Sequence, residues 1–291
     1  MVAPSGRERE AERATACVAN AMVAPSGRER KSMKERIAAG ADTLAEAVRD
    51  RVAVPRLTQR WPELDLDDAY RIQAEGCARR VAAGERVIGA KLGLTARAKQ
   101  EQMKVAEPVY GQLLSGGVHP AGDPIAVGEL IHPRVEPEIV FLMGAGLRGP
   151  GVTVAEVLAA TRAVCCGLEV IDSRYADFSF TAADVVADNT SAARIVLGPT
   201  MVDPAGLDLA LVGVLLEVDG VTVATAAGAA TMGHPAEAVA MLANWLGQRD
   251  EAILPGWIVF SGGLTAAVPL AAGSAVTATF GHLGSVTARG I

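Results

Sequence analysis

Two carboxylates, Glu136 and Glu138, stand two residues apart near the head of Ile131-His-Pro-Arg-Val-Glu-Pro-Glu-Ile-Val-Phe-Leu142, a run that turns fully apolar after them. On a strand, residues two apart share a face, so these two side chains point the same way. That face continues as Val140 and Leu142, and the opposite face is Ile139, Phe141 and Met143; neither reads as solvent. A second apolar run, Ala163 to Ile171, carries one more isolated carboxylate, Glu169. Ionised carboxylates in such surroundings are costly unless something positive neutralises them. Either a cation sits among the three, or a base such as Arg134 pairs with them, or the runs are more exposed than they look. An all-oxygen ligand set suits a hard ion, Mg2+ or Mn2+, rather than zinc. Such a site keeps water positions open, and a chelating substrate would bind there. Pro137 restricts its strand to an edge or a beginning, which favours a site at a strand mouth.

Lys91 is the second candidate. It is the single charge in Val87-Ile-Gly-Ala-Lys-Leu-Gly-Leu-Thr95. It is either a snorkelling surface residue or a buried cation near anions. The histidines say less: His119, His132 and His234 each precede proline, a context that holds them in extended turns. No nucleophile elbow, phosphate-binding loop or dinucleotide fingerprint appears; Gly144-Ala-Gly146 lacks a third glycine and reads as a turn.

The elements that must position these residues can be placed in outline. The 291 residues are half apolar with 4% aromatics, so a substantial core is built mainly from Ala, Val and Leu. A formal charge of −6 without a basic block argues against nucleic acid as a partner, and no apolar stretch has the length of a membrane span. The four cysteines fit no metal-ligand spacing and read as reduced core thiols of a cytoplasmic protein. Met1 to Arg9 recurs letter for letter as Met22 to Arg30; residues 1–31 are therefore excluded from the fold as a duplicated leader and expected to be mobile. A helical region is expected over 32–85. Its first helix starts near Met33 behind the capping box Ser32-Met-Lys-Glu35, and a second opens at Asp65 to Asp68 and stops near Gly84. From residue 86 to 291 strand and turn signals dominate. A short helix is expected over Ala96 to Met103, and a capping box opens another at Thr153. A further helix begins near Thr181, a hairpin turns at Asp219-Gly220, and a helix follows His234-Pro235. The balance is α+β.

Four ordered motifs then resemble one family. They are Gly89-Ala-Lys-Leu-Gly-Leu-Thr95, Arg134-Val-Glu-Pro-Glu138, Leu168-Glu-Val-Ile-Asp-Ser-Arg174 and Val186-Ala-Asp-Asn189. Together they are similar to the fumarylacetoacetate hydrolase superfamily, in its branch of 4-oxalocrotonate decarboxylases and 2-oxopent-4-enoate hydratases, from about residue 37 onward. The resemblance implies a mixed β-sheet roll with a helical N-terminal cover, and Mg2+, or alternatively Mn2+, held by Glu136, Glu138 and Glu169. It implies Lys91 and Asp188 in the chemistry, and Leu92, Thr95, Arg97, Arg174, Ser191 and Thr265 around a small 2-oxo acid substrate. It also implies association with a partner hydratase; separately, the apolar, Gly-rich β body favours a homo-oligomer. Ala96-Arg-Ala-Lys99, Ile131-His-Pro133, Asp172 to Phe180 and Ser261-Gly-Gly-Leu-Thr265 look more like the decarboxylase side. Hydratases tend to carry a Thr-Gly-Ala-Leu-Gly type of turn at the last place.

Overall fold

The computed structural model describes residues 27–96, 100–101 and 107–291. Most of the leader, Arg97 and most of the helix expected over Ala96 to Met103 lie outside the described residues. The chain divides into two units, Met1–Arg36 and Ile37–Ile291. Helix α1 spans Gly27–Asp50, so it begins before Met33 and inside the repeated segment. Arg28, Glu29, Arg30 and Lys31 are good helix formers, and nothing in that stretch halts a helix ahead of Ser32. Helix α2 is Leu57–Arg60 and α3 is Leu66–Ala82. Asp65 caps α3 by accepting from the Asp68 N–H at 2.8 Å, and Gly84 at φ +106° turns the chain away after it. The buried face of α3 is Ala69, Ile72, Gln73 and Cys77; Leu66 and Val81 are exposed near its ends.

The strands follow. In the first half they are β1 (Val87–Gly93), β2 (Val109–Leu114), β3 (Pro124–Ile125), β4 (Arg134–Met143), β5 (Thr161–Ile171) and β6 (Ala192–Leu197). Helices α4 (Val154–Ala160) and α5 (Ala182–Ala187) are both opened by complete capping boxes, Thr153 with Glu156 and Thr181 with Asp184. The hairpin β7 (Gly213–Val218) to β8 (Val221–Ala227) turns through Asp219 and Gly220, both with positive φ. Helix α6 (Pro235–Gly247) follows, then β9 (Ile258–Phe260), β10 (Val268–Pro269), β11 (Ala275–Phe280) and β12 (Gly284–Gly290).

These strands form two sheets, ordered β2-β1-β9-β4-β5-β6, with β10 against the start of β4, and β3-β12-β11-β7-β8. The inner face of the larger sheet carries Leu92, Ile139, Phe141 and Leu168. It packs on Val276, Ala278 and Val286 of the smaller sheet and on Val239, Leu242 and Leu246 of α6. Its other face carries Val140, Cys165 and Phe260, packed with Leu113 and Ile195. A third cluster sets Ala41, Leu44 and Ile72 against Val109, Tyr175 and Val186 and makes the helical cover. The architecture is α+β, as expected. Of the two readings of Pro137, an edge or a beginning, the edge fails: Pro137 is the fourth residue from the start of β4, and β4 is central. Its neighbour β9 pairs only Val140, Phe141 and Leu142, and β10 only Arg134 and Val135. Pro137 falls in the gap between them, where its missing N–H costs no ladder bond.

Candidate metal centre

Strands β4 and β5 run antiparallel with Glu136 directly opposite Glu169, and Glu138 opposite Gly167. Alternation puts Glu136 and Glu138 on one face, and the register brings Glu169 to it. One carboxylate oxygen from each of the three lies within 4.8 Å of the others; Glu138 and Glu169 are fully buried and Glu136 is 9% exposed. A Cβ on Gly167 would come within 2.5 Å of Val140 Cγ2 and 2.9 Å of Phe260 Cε1, so this face tolerates only a glycine there. Strand β1 delivers Lys91 beside them through its parallel pairing with β9, where Lys91 stands next to Phe260.

Lys91 is buried. Its Nζ donates to the Thr190 carbonyl at 2.9 Å and stands 3.0 Å from Glu169 Oε2, a charge contact without hydrogen-bond alignment. Burial works against its ammonium, but Glu169, Glu138 and Glu136 outweigh burial and hold its pKa above the ordinary lysine value. Burial drives the Glu138 carboxyl well above the usual carboxylate range, helped by the charges of Glu169 and Glu136 and opposed by Lys91 and the Gly262 N–H. Glu169 is raised for the same first reason, with Lys91 opposing. The Gly262 N–H donates to Glu138 Oε2 at 2.6 Å, but Glu138 Oε1 and Glu169 Oε1 are buried with no hydrogen-bond partner. Buried oxygens left in that state fit a cation, and an all-carboxylate donor set fits a hard divalent one. Arg134 does not neutralise the group: its guanidinium lies 4.0 Å above the Phe178 ring and makes no ion pair with a described carboxylate.

Asn189, Thr190 and Ser191 all have left-handed backbone, φ +49°, +51° and +60°. A β-branched residue such as Thr190 rarely adopts it, and strain of this kind gathers at functional sites. The turn hands the Thr190 carbonyl to Lys91, and one residue later Ser191 Oγ donates to Asp188 Oδ2 at 3.2 Å. Asp188 forms a fully buried ion pair with Arg174, whose Nε donates to it. Burial lifts the Asp188 carboxyl to about 6 although Arg174 opposes the shift. Arg174 also donates to the carbonyls of Asp172 (2.8 Å), Ala192 (3.3 Å) and Asp188, so four of its five N–H donors are engaged within the protein. The Leu92 side chain belongs to the inner core, on the face away from Lys91. Thr95 is buried against Gly262, and Thr265 is half-buried with its hydroxyl donating to the Ala266 carbonyl at 3.0 Å. Sequence reasoning missed the Thr190 carbonyl and the Gly262 N–H. Backbone groups carry no residue signature, and only Asn189 and the glycine pair hinted at unusual turns.

The fold and the site define a class: an α+β roll whose larger sheet holds a buried glutamate triad and lysine able to bind a divalent cation. The chain belongs to the fumarylacetoacetate hydrolase family, whose C-terminal domain it matches over residues 84–289. It is 44% identical over 256 residues to a 4-oxalocrotonate decarboxylase of Pseudomonas sp. (strain CF600), covering 88% of this chain and 97% of that protein. It is also 44% identical over 207 residues to a 2-hydroxypent-2,4-dienoate hydratase of Pseudomonas putida, covering 71% of this chain and 93% of that one. Among solved structures it is similar to the 4-oxalocrotonate decarboxylase of Pseudomonas putida G7 complexed with magnesium and adipate. There the TM-score is 0.86 and the identity 41%, over 89% of this chain and 98% of that one.

Proposed function

We propose that this chain decarboxylates 2-oxohex-3-enedioate (4-oxalocrotonate) to 2-hydroxypenta-2,4-dienoate and CO2, in meta-cleavage catabolism of aromatic compounds. One observation carries the reading. The buried triad Glu136, Glu138 and Glu169, with Lys91 at 3.0 Å from Glu169, sits in a chain aligned with 97% of a 4-oxalocrotonate decarboxylase. Bound by the triad, Mg2+ or Mn2+ supplies a Lewis acid and a chelation point for the 1-carboxylate and 2-oxo group of an α-keto acid. The protein's own part is electrostatic. When the C5–C6 bond breaks, its electron pair forms the C4–C5 double bond and shifts the C3–C4 double bond to C2–C3, so charge moves to the C2 oxygen. CO2 leaves, and that oxygen takes a proton from solvent to give the 2-hydroxydienoate. Lys91 holds a fixed positive charge near that developing anion in a site largely closed to water, an interaction stronger in the transition state than before it. No nucleophile is needed. Asp188 and Ser191 lie one turn behind Lys91, where they hold the strained segment that supplies the Thr190 carbonyl and are available for proton handling. Thr95 and Thr265 offer polar contact to the substrate, and Leu92 contributes through its backbone.

A second reading is hydration of 2-hydroxypenta-2,4-dienoate at C4, favoured by the 44% identity to a hydratase. It uses the same metal and the same lysine. A third, a non-catalytic partner of such a hydratase, is disfavoured by the intact triad. The enzyme works in the cytoplasm as a homo-oligomer and associates with the hydratase that consumes its product. Feeding both compounds with and without Mg2+ separates the readings: metal-dependent CO2 release from the dicarboxylate is expected, and metal-dependent loss of the dienoate alone would replace the first reading by the second. The variants Glu136→Gln and Glu169→Gln should each lose more than about 100-fold in metal-dependent turnover, beyond the loss typical of residues that merely support ligands. Full activity of either variant in a chelator ends the assignment.

A further inference from the structure

We propose that Gly263 is a positioning residue that sets where the Glu136 carboxylate sits, and through it how well the triad grips a small divalent cation. This rests on the metal reading above. The two glycines after β9 do different work. Gly262 has φ +116°, a conformation that requires glycine, and a Cβ there would come within 2.3 Å of Thr95 Oγ1. Gly263 has no left-handed φ, so it is the space around it that asks for glycine. A Cβ on it would lie 2.8 Å from Glu136 Cδ and Oε2 and 3.1 Å from Oε1.

The turn cannot swing away from that contact. Ser261 N–H and Oγ both donate to the Ile139 carbonyl, at 3.3 and 2.8 Å. Gly262 N–H donates to Glu138 Oε2 at 2.6 Å, and Leu264 N–H donates to the Pro137 carbonyl at 3.0 Å. Position 263 is thus pinned to β4 on both sides, whereas the group it faces is the end of a flexible side chain. An added methyl group therefore displaces the Glu136 carboxylate and leaves the fold nearly untouched. Mg2+ demands near-ideal octahedral geometry with oxygens at about 2.0–2.1 Å, whereas Ca2+ accepts longer and more flexible arrangements. A displaced carboxylate should cost the smaller ion more.

The test is calorimetric titration of the metal-stripped full chain with Mg2+ and with Ca2+, for the wild type, Gly263→Ala, Glu136→Gln and the double variant, with melting curves of each metal-free protein. Gly263→Ala should melt within a few degrees of the wild type, lose about 10- to 100-fold in Mg2+ affinity, and lose less for Ca2+. In the Glu136→Gln background the same substitution should cost far less, because the ligand it displaces is already disabled. Wild-type Mg2+ affinity in Gly263→Ala overturns the proposal. So does a loss of equal size in both backgrounds, which would mean general damage to the turn, and so does a variant that fails to fold. A wild-type chain that binds neither ion overturns the metal reading itself, an outcome distinct from the others.

Discussion

At the scale of single residues, the site among the described residues sets the Lys91 ammonium between glutamates. Lys91 and Glu169 are 4% and 0% exposed at the side chain, so neither charge can be handed to water if its partner disappears. Removing one member of a buried pair typically costs about 3–5 kcal/mol, most of it from the charge left behind. Lys91→Met should lower the stability of the metal-free protein by about that amount in urea titrations, and saturating Mg2+ should narrow the gap. Equal stability of variant and wild type without metal would show that Lys91 does not neutralise the triad. The three glutamates were legible in the sequence because isolated acids in apolar runs have few explanations. Lys91 was legible only as one of two alternatives, since a lone lysine in a strand looks the same whether it snorkels or pairs. Gly263 was visible as half of a glycine pair, but its task was not, because that task is defined by the atom it faces.

At the scale of elements, the loop after β5 and the end of α5 are joined by the buried Arg174–Asp188 pair. The Asp188 carboxyl is raised to about 6 in the folded protein, above its ordinary value of 3.8. A carboxylate shifted upward contributes stability below its unfolded pKa and loses it as pH rises through the folded one. Wild type should therefore lose stability relative to Asp188→Asn between about pH 4 and pH 7, as read from denaturation midpoints of the metal-free proteins. Parallel pH curves for the two would refute the shift. The capping box at Thr153, the helix start near Thr181 and the Asp219-Gly220 hairpin were readable because side chains or turn residues announce them. The start of α1 was not, because Ser32-Met-Lys-Glu35 has the lettering of a cap while lying within a stretch that favours helix throughout. The left-handed run over Asn189, Thr190 and Ser191 opposes local preference at Thr190 and is imposed by tertiary packing: a Cβ on Gly111 of β2 would come within 2.3 Å of Thr190 Oγ1.

At the scale of the whole molecule, the triad is carried by strands of the central sheet, so an ion bound there is linked to global folding. A ligand at 100 times its dissociation constant adds about 2.7 kcal/mol to stability. For a domain of this size that corresponds to a rise of about 5–10 °C in melting temperature. Mg2+ should produce it in the wild type, and the Glu138→Gln variant should show little of it; an unchanged wild-type transition at saturating Mg2+ would count against a centre built on β4 and β5. Fold class was legible from the alternation of strand and turn signals. The position of β4 was not, since Pro137 allowed an edge as well as a beginning; two short strands flank it on one side and leave a gap that sequence spacing does not reveal. Among the described residues no helix is long and apolar enough to cross a membrane.

The bare Cα of Gly167, facing Val140 and Phe260, works like the notch of a key. Sliding β5 along β4 by two residues would keep every side chain on its own face but drive Cys165 or Glu169 into a space that admits only hydrogen. Hydrocarbon fit two rungs away thus admits a single alignment of the acidic groups. The cage is finished by the closing of the core, and an arriving ion finds it ready instead of having to template it.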